Sequence, residues 1–194
     1  YHSLYDSYRW MSTFGDPGFK FHATSARLAA AMMMRMANAD VLPYDYVEFA
    51  RTMQKYVPAV QVALSAKGWN GVSPAVIGDA ITRMERAAQR YAAARDSALA
   101  AGLSPTVAKN TNEALLQVER ALTRPEGLKT RPWFRNLIYV ADENNGYANM
   151  VFPSVNEAIR SGDQALTQRE IADLAKRFDA ATAAIEAARA ALKP

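Results

Sequence analysis

Two histidines, His2 and His22, are where metal or acid–base chemistry would have to start in this cysteine-free sequence. A hydrolytic zinc takes about three protein ligands plus an open position for water. His2 has no second ligand at a recognised metal spacing, and by pattern alone a lone histidine is more often structural or solvated than a ligand. His22 follows Phe19-Lys20-Phe21 at the start of a helical run and reads as a packing or capping residue. No Gly-rich phosphate loop, nucleophile elbow or H-E-x-x-H is present. The carboxylates fall mostly at helix starts or on helix surfaces. Pattern alone therefore gives no complete catalytic constellation, and a self-contained enzyme is not expected.

The stretch most able to carry a site is Pro132 to Pro153, the one long segment without a helical signature. Leu137-Ile138-Tyr139-Val140 reads as a short strand. Asp142-Glu143-Asn144-Asn145-Gly146 reads as a turn, since Asn and Gly tolerate left-handed backbone, and Tyr147 to Phe152 as the return arm of a hairpin. A long non-helical excursion in a helical domain is usually functional or disordered, and this one is too aromatic for disorder.

Helices must position that stretch. Residues 1–19 are aromatic and loop-like, with a turn at Gly15-Asp16-Pro17-Gly18. A helix over about Ala23–Ala39 is apolar around most of its circumference, the composition of a helix built to be buried. Asp45 and Glu48 form a capping pair for a second helix, whose stripe is Tyr46, Phe49, Met53, Val57, Val60 and Leu64 and which Pro58 should kink. Ser73-Pro74, an N-cap followed by Pro at the first helical position, starts a third, with Ile77, Ile81, Met84, Ala88, Tyr91, Ala94 and Ala98 on its apolar face and Gly102 as its stop. Ser104-Pro105 starts a fourth, with Val107, Thr111, Leu115, Val118 and Leu122. Ser154 with Glu157, and Thr167 with Glu170, match the S/T-x-x-E capping box for a short and a long final helix. The long one carries Ile171, Leu174, Phe178, Ala181, Ile185, Ala188 and Leu192, a period near 3.5 that suits bundle packing. The expected fold is all-α: a four-helix bundle of the long helices after Asp45, with a non-helical insertion, a possible β-hairpin, between the third and fourth of them.

Composition narrows the partners. The chain has 194 residues, half of them hydrophobic, enough for one sizeable core or a domain plus an appendage. The net charge of +4 is scattered; Arg124, Lys129, Arg131 and Arg135 come closest to a patch, and solvated loop charge explains them better than nucleic acid does. The longest apolar run, Leu28 to Met34, is far short of the roughly 20 residues of a membrane span. The sequence opens Tyr1-His2-Ser3 rather than with Met, so it reads as a fragment or processed product.

Several motifs in order resemble one family. They are Tyr1-His2-Ser3-Leu4-Tyr5, Phe14-Gly15-Asp16-Pro17, Phe19-Lys20-Phe21-His22, Ala37-Asn38 and Val41-Leu42-Pro43-Tyr44-Asp45. The series continues through Arg131-Pro132, Phe134-Arg135, Ile138-Tyr139, Asn145, Tyr147-Ala148 and Phe152-Pro153. The family is that of the co-catalytic zinc peptidases typified by glutamate carboxypeptidase II, with the transferrin receptor as a non-enzymatic relative. The resemblance covers essentially the whole chain.

The resemblance implies that residues 1–40 are the tail of a peptidase domain and 41–194 a helical dimerisation domain through which two subunits associate. It implies that His2 is a ligand in a two-zinc centre and that Tyr1 steadies the oxyanion of the tetrahedral intermediate. Tyr147, with Asn145 beside it, would hold the terminal carboxylate of a peptide substrate. Gly146 stands where the glutamate-specific member has Lys, removing the cationic partner for an acidic side chain, and Asn136 stands where the family often has His. The other zinc ligands would lie outside this sequence. The expected function is thus a dimerisation fragment of a zinc exopeptidase, carboxypeptidase- or dipeptidase-like, that supplies a zinc ligand and a pocket loop but binds no zinc stably and is inactive alone. An extracytoplasmic setting goes with it. The alternative is a non-catalytic, receptor-like module that dimerises or binds a partner.

Overall fold

The structure is a computed structural model that describes residues 2–193. It divides into two compact units, one ending at Pro43 and one beginning at Tyr44.

The first unit is more helical than its sequence suggests. In place of a loop, α1 (Tyr8–Trp10) runs directly into a π-helical turn at Met11–Gly15. Helix α2 (Lys20–Ala37) then starts three residues ahead of the expected position. The cause is Asp16, whose carboxylate accepts the backbone N–H groups of Phe21 at 3.2 Å and His22 at 2.9 Å. Those are orphan donors of the first helical turn, and a carboxylate there also suits the helix dipole. None of the residues of α2 is buried, and Leu28, Met32, Met33 and Met34 are each more than 60% exposed. The helix has the composition of a buried element, and nothing within its own unit covers it.

The second unit is the helical bundle, and α8 (Gln164–Ala191) is its axis, packed along α5 (Ala75–Ala101) and α6 (Pro105–Ala121). All seven residues of the expected α8 stripe, Ile171 through Leu192, are buried. Their alternating three- and four-residue steps keep one face inward over its full length. The short helix α7 (Pro153–Ser161) also packs on α8, and α3 (Tyr46–Gln54) on α5. Arg83–Asp179 and Arg90–Glu186 link the outer edges of α5 and α8, seven residues apart on each helix. Being solvent-exposed, such pairs contribute little.

Two of the expected caps hold and four local readings need correction. Asp45 caps α3 by accepting Glu48 N–H at 2.9 Å, and Ser104 caps α6 by accepting Val107 N–H. Ser73-Pro74 is the first correction: α5 begins at Ala75 with Pro74 itself at the N-cap and no side-chain cap. Pro58 does more than kink its helix. The chain breaks at Lys55-Tyr56 into α3 and α4 (Val57–Ala66), and Pro58 sits in the first turn of α4, where its missing N–H costs nothing. The Ser154/Glu157 box does not form. Helix α7 begins at Pro153 behind Phe152, Ser154 Oγ is buried without a partner, and Glu157 is taken by Arg131 and Thr130. The Thr167/Glu170 box does not form either. Asp163 is the cap, accepting Leu166 N–H at 2.8 Å, and Glu170 pairs with Arg124. In both cases an ion pair to another segment captures the Glu that a local cap would have used.

Candidate functional site

The excursion folds as two parts. The first, from Thr123 to Leu137, closes on itself: Arg124 N–H donates to Arg135 O, Leu128 N–H to Phe134 O, and Leu137 N–H to Leu122 O. Gly127 sits at its tightest point with φ +65, and a Cβ there would overlap the carbonyl oxygens of Pro132 and Phe134. Glycine is required both by conformation and by space. Arg124 stitches this loop to α8, donating to Gly127 O, Glu170 and Asp173. Two of the four cations that came closest to a basic patch, Arg124 and Arg131, are thus spent on internal carboxylates.

The second part is the expected hairpin, β1 (Tyr139–Ala141) and β2 (Asn149–Val151), antiparallel with Tyr139 opposite Val151 and Ala141 opposite Asn149. Its turn is not built as expected. Among the described residues, positive φ occurs at five glycines and at His2, Phe19 and Phe152, and none of these lies in the turn. Side chains shape it instead. Asp142 Oδ1 accepts Asn144 N–H at 2.8 Å and Asn145 Oδ1 accepts Tyr147 N–H at 3.1 Å, two Asx-type bonds that substitute for left-handed backbone. Asn145 is therefore first a turn-former, and Tyr147 stands at the tip 81% exposed. Open space surrounds Gly146.

The hairpin is anchored from below. Arg131 and Glu157 form a buried pair, with Arg131 Nε 3.1 Å from Glu157 Oε1, Thr130 Oγ1 donating to Oε2 at 2.6 Å, and Arg131 Nη1 donating to Ala141 O at 2.8 Å. The Arg131 guanidinium also lies 5.0 Å over the Phe134 ring. Arg160 Nη2 reaches Asp142 Oδ2 at 2.7 Å and holds the Asp142 carboxyl below its ordinary range. Sequence patterning gave Arg131, Asp142 and Glu157 other roles and did not pick out Arg160, because an ion pair between segments 18 to 26 residues apart leaves no local spacing.

Of the other residues singled out, Tyr1 lies outside the described residues. His2 is exposed and holds left-handed backbone, φ 58, uncommon for a residue with a side chain. It belongs to the first unit, whereas Asn145 and Tyr147 share the turn in the second. His22 does not cap its helix; its Nδ1 is 2.6 Å from Asp16 Oδ2, and its ring meets Phe19 edge-on. Burial pushes the Asp16 carboxyl up, but the side-chain and backbone hydrogen bonds from His22 outweigh it and hold the carboxyl at about 2. Asn136 turns its Oδ1 inward to Ile138 and Tyr139 N–H, ending the loop where β1 begins. Among the described residues no group of three or more His, Asp or Glu could hold a metal ion. No helix among them is long and apolar enough to cross a membrane.

Comparison with known proteins agrees with this architecture. The transferrin receptor-like dimerisation domain matches residues 72–186, which run from just before α5 to near the end of α8. A probable glutamate carboxypeptidase of Arabidopsis thaliana is 29% identical over 159 residues, covering 82% of this chain and 22% of that protein. An aminopeptidase of Rattus norvegicus is 25% identical across 100% of this chain and 26% of its own length. A protein of Schizosaccharomyces pombe named as an inactive zinc metalloprotease is 25% identical over 92% of this chain and 23% of its own. The chain spans about a quarter of the length of the curated relatives it matches. With more than half of its residues matched, it belongs to the transferrin receptor-like dimerisation domain family.

Proposed function

We propose that this chain is the dimerising portion of a zinc-dependent exopeptidase and that it pairs with a second copy of itself through the bundle. Residues 1–40 would be the tail of the peptidase domain and 41–194 the dimerisation domain. The observation that carries the reading is the hairpin. A closed, Ala-rich bundle has no need of an aromatic tip held out by two ion pairs, whereas a substrate pocket does. Tyr147 at that tip would donate its phenol to the terminal carboxylate of a peptide, with Asn145 holding the turn that aims it. His2 would supply one imidazole to a two-zinc centre, and Tyr1 a phenol to the developing oxyanion. Left-handed backbone at His2 fits a residue held for function. Zinc in such a centre supplies an activated water and polarises the scissile carbonyl. This chain's residues would bind and orient the substrate around that chemistry. With Gly146 in place of a cation, nothing in the turn favours an acidic terminal side chain.

The chain alone is then a partner in catalysis and not a catalyst. Incubation of the purified chain with short peptides and zinc should release no amino acid, and release above the rate with zinc alone would overturn the reading. The relative named as inactive favours a second reading, a receptor-like module without chemistry. Zinc content of the longer protein separates the two: about two ions per subunit for the peptidase, none for the module.

A further inference from the structure

Helix α7 grips the hairpin at three separate points. Asn156 Nδ2 donates to Val151 O at 2.6 Å, at the end of β2. Glu157, 5% exposed, holds Arg131, whose other nitrogen reaches Ala141 O at the end of β1. Arg160 binds Asp142, the first residue of the turn. Both strand ends and the base of the turn are thus tied to one short helix. That helix is itself fixed, because Val155, Ala158 and Ile159 are buried and α7 packs on α8.

The hairpin needs this grip. Its ladder has three residues per strand, and an isolated two-stranded hairpin of ordinary length is already marginal in water. Among the described residues, the bonds seen for the turn beyond Asp142 stay within it: Asn144 N–H to Asp142, Tyr147 N–H to Asn145, Ala148 N–H to Asn145 O and Asp142 N–H to Ala148 O. The direction in which Tyr147 points is set where α7 holds the base.

We infer that Asn156, Arg160 and the Glu157–Arg131 pair are positioning residues that fix the stance of Tyr147, and so set the affinity of the site for a peptide's terminal carboxylate. This rests on the reading of Tyr147 given above. Arg160 is the residue to change, because its side chain is about half exposed and its loss leaves the core closed. In Arg160→Ala, amide exchange at Asn144, Tyr147 and Ala148 should quicken about five- to tenfold, the effect of losing one charge-assisted bond on a local opening. Amides of α5 and α8, and the Tm, should not move. In the longer peptidase the same variant should raise KM about five- to tenfold with kcat held, the mark of lost uniform binding, and Arg160→Lys should recover part of both effects. Unchanged exchange at the tip would overturn the inference. So would an unchanged KM in a protein whose Tyr147→Phe variant raises it. If Tyr147→Phe itself leaves KM unmoved, the reading of Tyr147 fails, and exchange alone decides the grip: local quickening upholds it and its absence refutes it.

Discussion

Phe152 joins the hairpin to α7, and replacing it with Ala and with Gly should reverse the usual order of those two residues. The side chain is 1% exposed and meets Phe178 of α8 edge-to-face, with centroids 6.2 Å apart and planes at 88°. Truncating such a ring to Ala costs about 3–5 kcal/mol. The backbone of Phe152 is also left-handed, φ 50 and ψ 55, which costs a residue with a Cβ about 1–2 kcal/mol. Ala loses the ring and keeps that strain. Gly loses the ring and relieves the strain, and it is the better of the two at the helix N-cap, the position Phe152 occupies. Against this, Gly adds about 0.5–1 kcal/mol of unfolded-state entropy. The net expectation is that Phe152→Gly is destabilised by about 1 kcal/mol less than Phe152→Ala. Urea unfolding followed by helical circular dichroism measures both, provided the slopes with urea agree. A Gly variant as unstable as the Ala variant, or more so, would refute the claim that Phe152 is strained in the fold.

Two further outcomes follow from the same kind of reasoning. Asp16→Ala should fray the start of α2 at neutral pH, read as lost helicity. In the unaltered chain the Asp16 contribution is present above the ordinary carboxylate range and should fade as pH falls from about 4 towards about 2, because the folded state holds the carboxyl at about 2; a start to α2 that stays intact at pH 2 would count against it. Gly127→Ala should cost about 3 kcal/mol or more, since the new Cβ needs both left-handed backbone and the space of the Pro132 carbonyl oxygen. A Tm within a degree of the parent's would mean that the loop relaxes freely.

What the sequence made legible was periodic. The α8 stripe from Ile171 to Leu192, the Gly102 stop and the Asp45 and Ser104 caps are set by residues within a turn or two of one another, so their spacing alone identifies them. The corrections share the opposite cause. Glu157 and Glu170 sit at capping-box spacing, yet Arg131 and Arg124 reach them across 26 and 46 residues, and a buried carboxylate gains more from a guanidinium than from one amide. The hairpin turn was placed correctly but for the wrong reason, since Asx side chains can do the work expected of left-handed Asn and Gly. Tyr147 and Asn145 entered through the family motif, and both lie in an exposed turn. The pairings that hold that turn, Arg131 with Glu157 and Arg160 with Asp142, could only be seen once the fold had brought these residues together.

The central claim is that this bundle associates with a copy of itself, and the mass of the chain in solution tests it most directly. The exposed apolar residues of α2 offer a different surface for association, so the measurement belongs on a Leu28→Glu, Met33→Glu variant that blunts that helix and changes no residue of the bundle. Light scattering at micromolar concentration should give twice the 21.3 kDa of one chain. A mass of a single chain across that range would contradict the account.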